Sequence, residues 1–286
     1  MKIGLIGYGY WGNIIHRCLH RNGFKLDFIF TTKSVDDLTE YFNSGPLVHC
    51  KVQPYAQLYN TALDFLFITS GPQHSIAIIK NLARNGSLDS LNVWAEKPFY
   101  IDSTIHFTDL DLQTVFVDYL YTLANASSGF HHMVEYISSS LISRDAVLLF
   151  EVYSQRKYTR LHSIHSDFMA HFFSLLASIT PIHLDHSLLL YEGIQSCGQN
   201  TYEASFKINK LNAIFRYGTS KKNTNRVYYS DNYQNFDMPL SICFPHPLDK
   251  NILRFMSGKR KCPYSPYYDH QLHHVIGFYI EKLCLF

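Results

Sequence analysis

An apolar run, Ile3-Gly4-Leu5-Ile6, leads directly into Gly7-Tyr8-Gly9-Tyr10-Trp11-Gly12, and a helix-like stretch from Asn13 to Arg21 follows at once. Strand, glycine turn and helix in that order leave few folds open. The first glycine permits a tight turn, the second lets a pyrophosphate come up to the backbone, and the third lets the helix pack closely on the strand. The helix start adds unpaired N–H groups carrying partial positive charge. Gly7, Gly9 and Gly12, with Tyr10 and Trp11 inside the turn, are therefore the first candidate contacts to a dinucleotide.

The pattern continues as this beginning requires. Strand-like runs at Ile3–Ile6, Leu26–Phe30, Phe65–Thr69, Val93–Ala95 and Thr114–Val117 alternate with helical stretches near Asn13–Arg21, Val35–Phe42 and Ser75–Asn85. Alternation of this kind builds a parallel sheet with right-handed crossovers, the doubly wound α/β arrangement. Gly23, Gly45 and Gly86 stand where the helices should stop. After Asp118-Tyr119 the rhythm changes: a helix at Gly129–Ser140, a strand at Ala146–Ser154, and a helical stretch from Ser166 to Ser178. Antiparallel strands are expected at Ser187–Tyr191, Tyr202–Asn209, Asn212–Tyr217 and Val227–Ser230, and a last helix at Asp269–Leu283. The expected organisation is a Rossmann domain over residues 1–120 and, over 121–286, an α+β domain with an open, largely antiparallel sheet for substrate binding and oligomerisation.

Composition narrows the partners. Lys and Arg outnumber Asp and Glu by only 25 to 23, so no broad basic surface is offered to nucleic acid or an anionic membrane, and Lys259-Arg260-Lys261 is too short to make one. No apolar run approaches the roughly 18 residues of a membrane span, and the N-terminal residues lack the pattern of a secretory signal. The six cysteines are scattered without a CxxC pair. A cytoplasmic protein without disulfide scaffold is expected. The 16 histidines include His162 with His165 and His270 with His273 and His274, but no cysteine or carboxylate completes a four-ligand set at recognisable spacing, so no metal site is expected.

Two further stretches carry chemistry. Glu96-Lys97-Pro98 ends the fifth strand-like run, where the carboxyl edge of a doubly wound sheet meets its ligand crevice. Pro98 ends strand pairing, Lys97 reaches toward substrate and nicotinamide, and Glu96 orients that lysine or holds a ribose hydroxyl. Beyond the second strand, where NAD sites place a carboxylate for the ribose 2′-hydroxyl, the chain has Thr31-Thr32-Lys33-Ser34. Small hydroxyls and an ammonium suit a 2′-phosphate, so NADP(H) is favoured over NAD(H).

Three segments taken together resemble the glucose-fructose oxidoreductase, inositol dehydrogenase and rhizopine-catabolism (Gfo/Idh/MocA) family. They are the glycine turn, Ile68-Thr69-Ser70-Gly71-Pro72-Gln73-His74 after the fourth strand, and Trp94-Ala95-Glu96-Lys97-Pro98. Asp167-Phe168-Met169-Ala170-His171 matches the family's Asp and His four residues apart, a spacing that puts both on one helical face. Val117-Asp118-Tyr119-Leu120-Tyr121 resembles the crossing segment of members that act on sugars.

The resemblance implies an oxidoreductase moving a hydride between nicotinamide C4 and a carbinol or carbonyl carbon of a sugar, nucleotide sugar or polyol. It makes His171 the general acid/base, Lys97 the donor that stabilises alkoxide charge on the substrate oxygen, and Asp167 a substrate ligand or an orienter of His171. Thr69, Ser70 and His74 join the cofactor contacts, and a homodimer or homotetramer is expected. The chain departs from the family at Ser70-Gly71, where a proline pair is usual, and at Phe172, where an acidic residue is frequent. Two other functions fit the same residues less completely: a non-catalytic dinucleotide sensor, which needs none of Lys97, Asp167 and His171, and a reductase of an imine or tetrapyrrole-like substrate.

Overall fold

The computed structural model describes residues 1–33, 38, 50–88, 90–96, 115–118, 128–140, 145–155, 168–169, 171–173, 176, 189–198, 200–221, 224–239 and 247–258. The chain divides into two compact units, Met1–Asp118 with Leu248–Tyr268, and Tyr119–Pro247 with Asp269–Phe286.

In the first unit six strands, β1 (Ile3–Ile6), β2 (Phe28–Thr31), β3 (Lys51–Pro54), β4 (Phe65–Ile68), β5 (Asn92–Glu96) and β6 (Val115–Asp118), form one sheet in the order β3-β2-β1-β4-β5-β6. Every pair is parallel. The strands in the middle are apolar along their whole length, and β1 and β4 are buried at every position, as a sheet covered on both faces demands. Strand order reverses between β1 and β4, the switch point where such sheets open a ligand crevice. β3 has no expected counterpart in the sequence analysis. Its residues, Lys-Val-Gln-Pro, carry no apolar run because it is an edge strand with exposed ends, and Pro54 is its last residue.

Helix α1 (Tyr10–Arg21) buries Ile15, Cys18 and Leu19, the spacing of one helical face. Helix α2 (Pro72–Arg84) follows β4, with Gly71 at its N-cap and Pro72 in its first turn, where a missing N–H costs nothing. The expected helix at Val35–Phe42 lies outside the described residues except for Leu38, which is helical and buried.

The second unit contains helix α3 (Ser128–Ser140) and strands β7 (Ala146–Ser154), β8 (Leu189–Gly198), β9 (Thr201–Ile208), β10 (Leu211–Thr219), β11 (Thr224–Asp231) and β12 (Asn235–Pro239). They pair in the order β12-β11-β7-β10-β9-β8, with β7 and β10 parallel and the other neighbours antiparallel. One face is apolar and buried: Leu148, Phe150 and Val152 lie beside Phe206, Ala213, Phe215, Tyr217, Val227 and Tyr229. The other face carries a polar row with one residue from each strand. Gln195 donates to Glu203, Arg216 reaches Glu203 at 2.5 Å and Glu151 at 3.6 Å, and Arg226 lies between Glu151 and Asp237. β12 was not expected from sequence, because its five residues are an exposed edge strand ending in a proline.

Helix α4 (Pro247–Met256) has no counterpart in the sequence analysis, yet it completes the first unit. It buries Leu248, Ile252, Phe255 and Met256, one stripe along the helix. The Phe255 ring lies 5.3 to 5.4 Å from the rings of Phe65, Phe67, Trp94 and Phe116, an aromatic row on β4, β5 and β6. At the other end of the helix the Arg21 guanidinium donates to both carboxylate oxygens of Asp249 at 3.0 Å, and Asn22 donates to the same group at 2.9 Å. The expected helix at Asp269–Leu283 lies outside the described residues.

Candidate dinucleotide site

The site begins where β1 ends. Gly7 has φ +85°, a left-handed backbone that only glycine adopts without strain, and its N–H donates to the Phe30 carbonyl on β2 at 3.3 Å. A Cβ on Gly12 would stand 2.3 Å from the Gly7 carbonyl oxygen, so α1 packs against the turn as closely as a glycine allows. Gly9 is the opposite case. Among the described residues a Cβ there would meet no atom within 4 Å, so its backbone faces open space between them.

Gly9 is also the N-cap of α1, with no side-chain cap on the helix and no acidic residue in its first turn. The helix start thus meets that space with its own N–H groups and no competing carboxylate, the donor set that suits a pyrophosphate. Tyr10 is exposed at the first helical position, and Trp11 beside it is half-buried with its ring edge-on to Tyr10 at 5.8 Å.

From β4, Thr69 holds the turn. Its hydroxyl lies 3.0 Å from the Ile6 carbonyl and 2.5 Å from the Gly7 carbonyl, and its N–H donates to Ile6 at 2.9 Å. Ser70, where the family has proline, is fastened by Ser75 from the first turn of α2: the Ser75 hydroxyl donates to the Ser70 carbonyl at 2.9 Å. His74 is exposed in the same helical turn. At the end of β2 the Thr31 hydroxyl accepts the Lys33 N–H at 3.0 Å, a short turn that leaves Thr32 and Lys33 exposed. Glu96, the last residue of β5, is buried. Lys97 and Pro98 lie outside the described residues.

Sequence reasoning left two residues out. Tyr8, between the first two glycines, is buried, and its hydroxyl is hydrogen-bonded to Nδ1 of His16 at 3.0 Å. His16 and His20, four apart on the first helix, read from sequence as exposed or packing residues without a role in the site; His16 is buried and His20 exposed. Burial, with a smaller contribution from His20, pushes the His16 pKa down to about 4. Burial likewise raises the Tyr8 phenol, and raises the Cys50 thiol to about 11. A tyrosine inside a glycine turn was the one available signal.

No family model and no curated protein matches the chain. Solved structures do match it. UDP-N-acetylglucosamine 3-dehydrogenase from Acidithiobacillus ferrooxidans has a TM-score of 0.66 over 100% of this chain and 97% of its own, at 13% identity. A myo-inositol dehydrogenase from Corynebacterium glutamicum has a TM-score of 0.69 over 100% and 95%, at 11% identity. The WlbA dehydrogenase from Thermus thermophilus, solved with NAD and UDP-GlcNAcA, has 0.66 over 98% and 95%, at 12% identity. The chain has the Gfo/Idh/MocA two-domain fold.

Within the second unit of this Gfo/Idh/MocA fold, Phe168, Met169, His171, Phe172, Phe173 and Leu176 are helical, as the periodicity from Ser166 to Ser178 requires. His171 is buried, at 6% exposure. Phe172 explains its own departure from the family. Its ring is stacked on Phe215 at 4.8 Å and touches Phe206 at 5.3 Å, so an acidic side chain in its place would sit among aromatic rings. Asp167 lies outside the described residues, as do His162, His165, His270, His273 and His274. Among the described residues no group of three or more metal-ligating side chains converges, and no helix is long and apolar enough to cross a membrane.

Proposed function

We propose that the chain is an NAD(P)-dependent oxidoreductase that interconverts a carbinol and a carbonyl on a sugar, nucleotide sugar or related polyol. One observation carries this: open space beside Gly9 at an uncapped helix start, on the switch point of a β3-β2-β1-β4-β5-β6 sheet. The solved structures of the same fold add support, since they include dehydrogenases of a UDP-amino sugar and of myo-inositol. A bound nicotinamide supplies a carbon that takes or gives the hydride.

The chain's own residues supply the rest. Gly7, Gly9, Tyr10, Trp11 and Gly12 hold the pyrophosphate, and Thr69, Ser70, His74 and Glu96 extend the binding surface toward the nicotinamide ribose. In the oxidising direction His171 takes the hydroxyl proton as the C–H leaves as hydride, and Lys97 donates a hydrogen bond to the oxygen while it carries alkoxide charge. Asp167 binds the substrate or fixes the imidazole. Thr31, Thr32 and Lys33 bind the adenosine ribose. Because the Thr31 hydroxyl accepts from Lys33, its own hydrogen remains to donate, and no carboxylate among these three repels a 2′-phosphate, which favours NADP(H) over NAD(H).

Lys97→Met tests the assignment. The variant should bind NADPH as the wild type does, followed by quenching of tryptophan fluorescence, while turnover at 340 nm on a panel of sugars and nucleotide sugars disappears. Unchanged turnover would remove Lys97 from the mechanism, and tighter binding of NADH than NADPH would reverse the cofactor preference. We further propose a homodimer or homotetramer joined through the polar-row face of the second sheet, where the neighbouring Leu149 and Ile214 are half-exposed. Sedimentation velocity checks this, and a monomer at every concentration refutes it.

A further inference from the structure

We propose that Tyr8 is a positioning residue for the pyrophosphate turn, held in place by a directed hydrogen-bond chain through His16 and Cys50 to the Leu26 carbonyl. The proposal rests on the dinucleotide reading of the glycine turn. Tyr8 is the residue between Gly7, whose backbone is left-handed, and Gly9, which faces open space. Such a turn has no side chains at its two glycines to hold it, and every contact that fixes its middle residue lowers the ordering cost of binding.

The donors and acceptors fall into one order. Cys50, just before β3, donates its S–H to the Leu26 carbonyl, just before β2, at 3.1 Å. That spends the thiol hydrogen, so the sulfur faces Nε2 of His16, 3.9 Å away, as an acceptor. His16 then carries its hydrogen on Nε2 and presents a bare Nδ1, which accepts the Tyr8 hydroxyl hydrogen at 3.0 Å. Burial keeps the imidazole neutral, the state this order needs. The chain thus ties the middle of the turn to α1 and to the backbone ahead of β2 and β3. Thr69, just after β4, secures the Gly7 carbonyl from the other side.

A neutral hydrogen bond of this kind is worth about three- to tenfold in an equilibrium. Tyr8→Phe keeps the ring and removes the hydroxyl. It should weaken NADH, NADPH and ADP-ribose by the same factor in that range, because all three share the pyrophosphate, and it should also lower the urea midpoint of the apoprotein, because the buried Nδ1 of His16 loses this donor. His16→Leu should copy the loss. His16→Asn, whose amide oxygen falls near the place of Nδ1, should restore most of it. The double variant Tyr8→Phe/His16→Leu should bind no worse than either single variant, because both break one link. Wild-type binding accompanied by unchanged binding in Tyr8→Phe, or additive losses in the double variant, would overturn the positioning role and leave the dinucleotide reading standing. A wild type that binds none of the three probes would overturn both.

Discussion

A methyl group added at Gly9 and at Gly12 separates two tasks of one turn. At Gly12 the new Cβ would lie 2.3 Å from the Gly7 carbonyl oxygen and 3.1 Å from the Thr69 hydroxyl. Even a contact of 3.0 Å, the shortest that real structures tolerate, requires α1 to retreat by 0.7 Å from a carbonyl that Thr69 holds. Overpacking of this size costs about 1–3 kcal/mol. At Gly9 the added Cβ meets no atom of the described residues within 4 Å, and the backbone, φ −105° and ψ −154°, is extended with a negative φ. A helix N-cap loses about 0.5–1 kcal/mol when glycine becomes alanine, and the stiffer unfolded chain returns about 0.4–1 kcal/mol. Gly9→Ala should therefore unfold in urea within about 0.5 kcal/mol of the wild type, whereas Gly12→Ala should be less stable by the larger amount. Binding should rank the other way. The Gly9 methyl occupies the space proposed for the pyrophosphate, and a clash of about 1–3 kcal/mol weakens NADPH by roughly five- to 150-fold. Urea denaturation with fluorescence titration reads both quantities on the same samples. Wild-type affinity in Gly9→Ala would refute the placement of the phosphates, and wild-type stability in Gly12→Ala would refute the close approach of helix to turn.

Two further outcomes follow from the first unit. His16 is neutral in the fold with its pKa pushed down to about 4, while the unfolded chain takes up a proton near 6.5, so stability present above pH 6.5 drains away as the pH falls toward 4, by up to about 3 kcal/mol. Urea midpoints from pH 7.5 to 4.5 should fall less steeply in His16→Leu, and parallel slopes would contradict this. Phe255→Ala should cost about 3–5 kcal/mol, because the ring touches Phe65, Phe67, Trp94 and Phe116 together, and a loss below 1 kcal/mol would show that α4 does not seal the sheet as described.

The parts of the fold that sequence made legible are those whose burial is local and periodic. β1, β4 and β5 are apolar runs between turn signals, α1 repeats every three and four residues, and Ala146–Ser154 is found with the bounds expected. β3 and β12 escaped because edge strands are specified by backbone pairing rather than by side chains. α4 escaped for a different reason. Its ten residues hold a proline start and a buried stripe, but the surface that the stripe covers lies more than a hundred residues earlier in the chain. At the candidate site the glycines were legible as a spacing. Tyr8 and His16 were not, because their partnership joins a turn to the second turn of a helix and only coordinates bring in Cys50.

The arrival of α4 has a consequence for how the protein is made. By the time Asp118 has left the ribosome every strand of the parallel sheet has been synthesised, yet the rings of Phe67, Trp94 and Phe116 still lack the phenylalanine that covers them. They wait through the synthesis of the whole second sheet. The first unit is begun first and finished late, and a gene cut after its last strand would yield a product with a sticky aromatic flank instead of a free-standing domain.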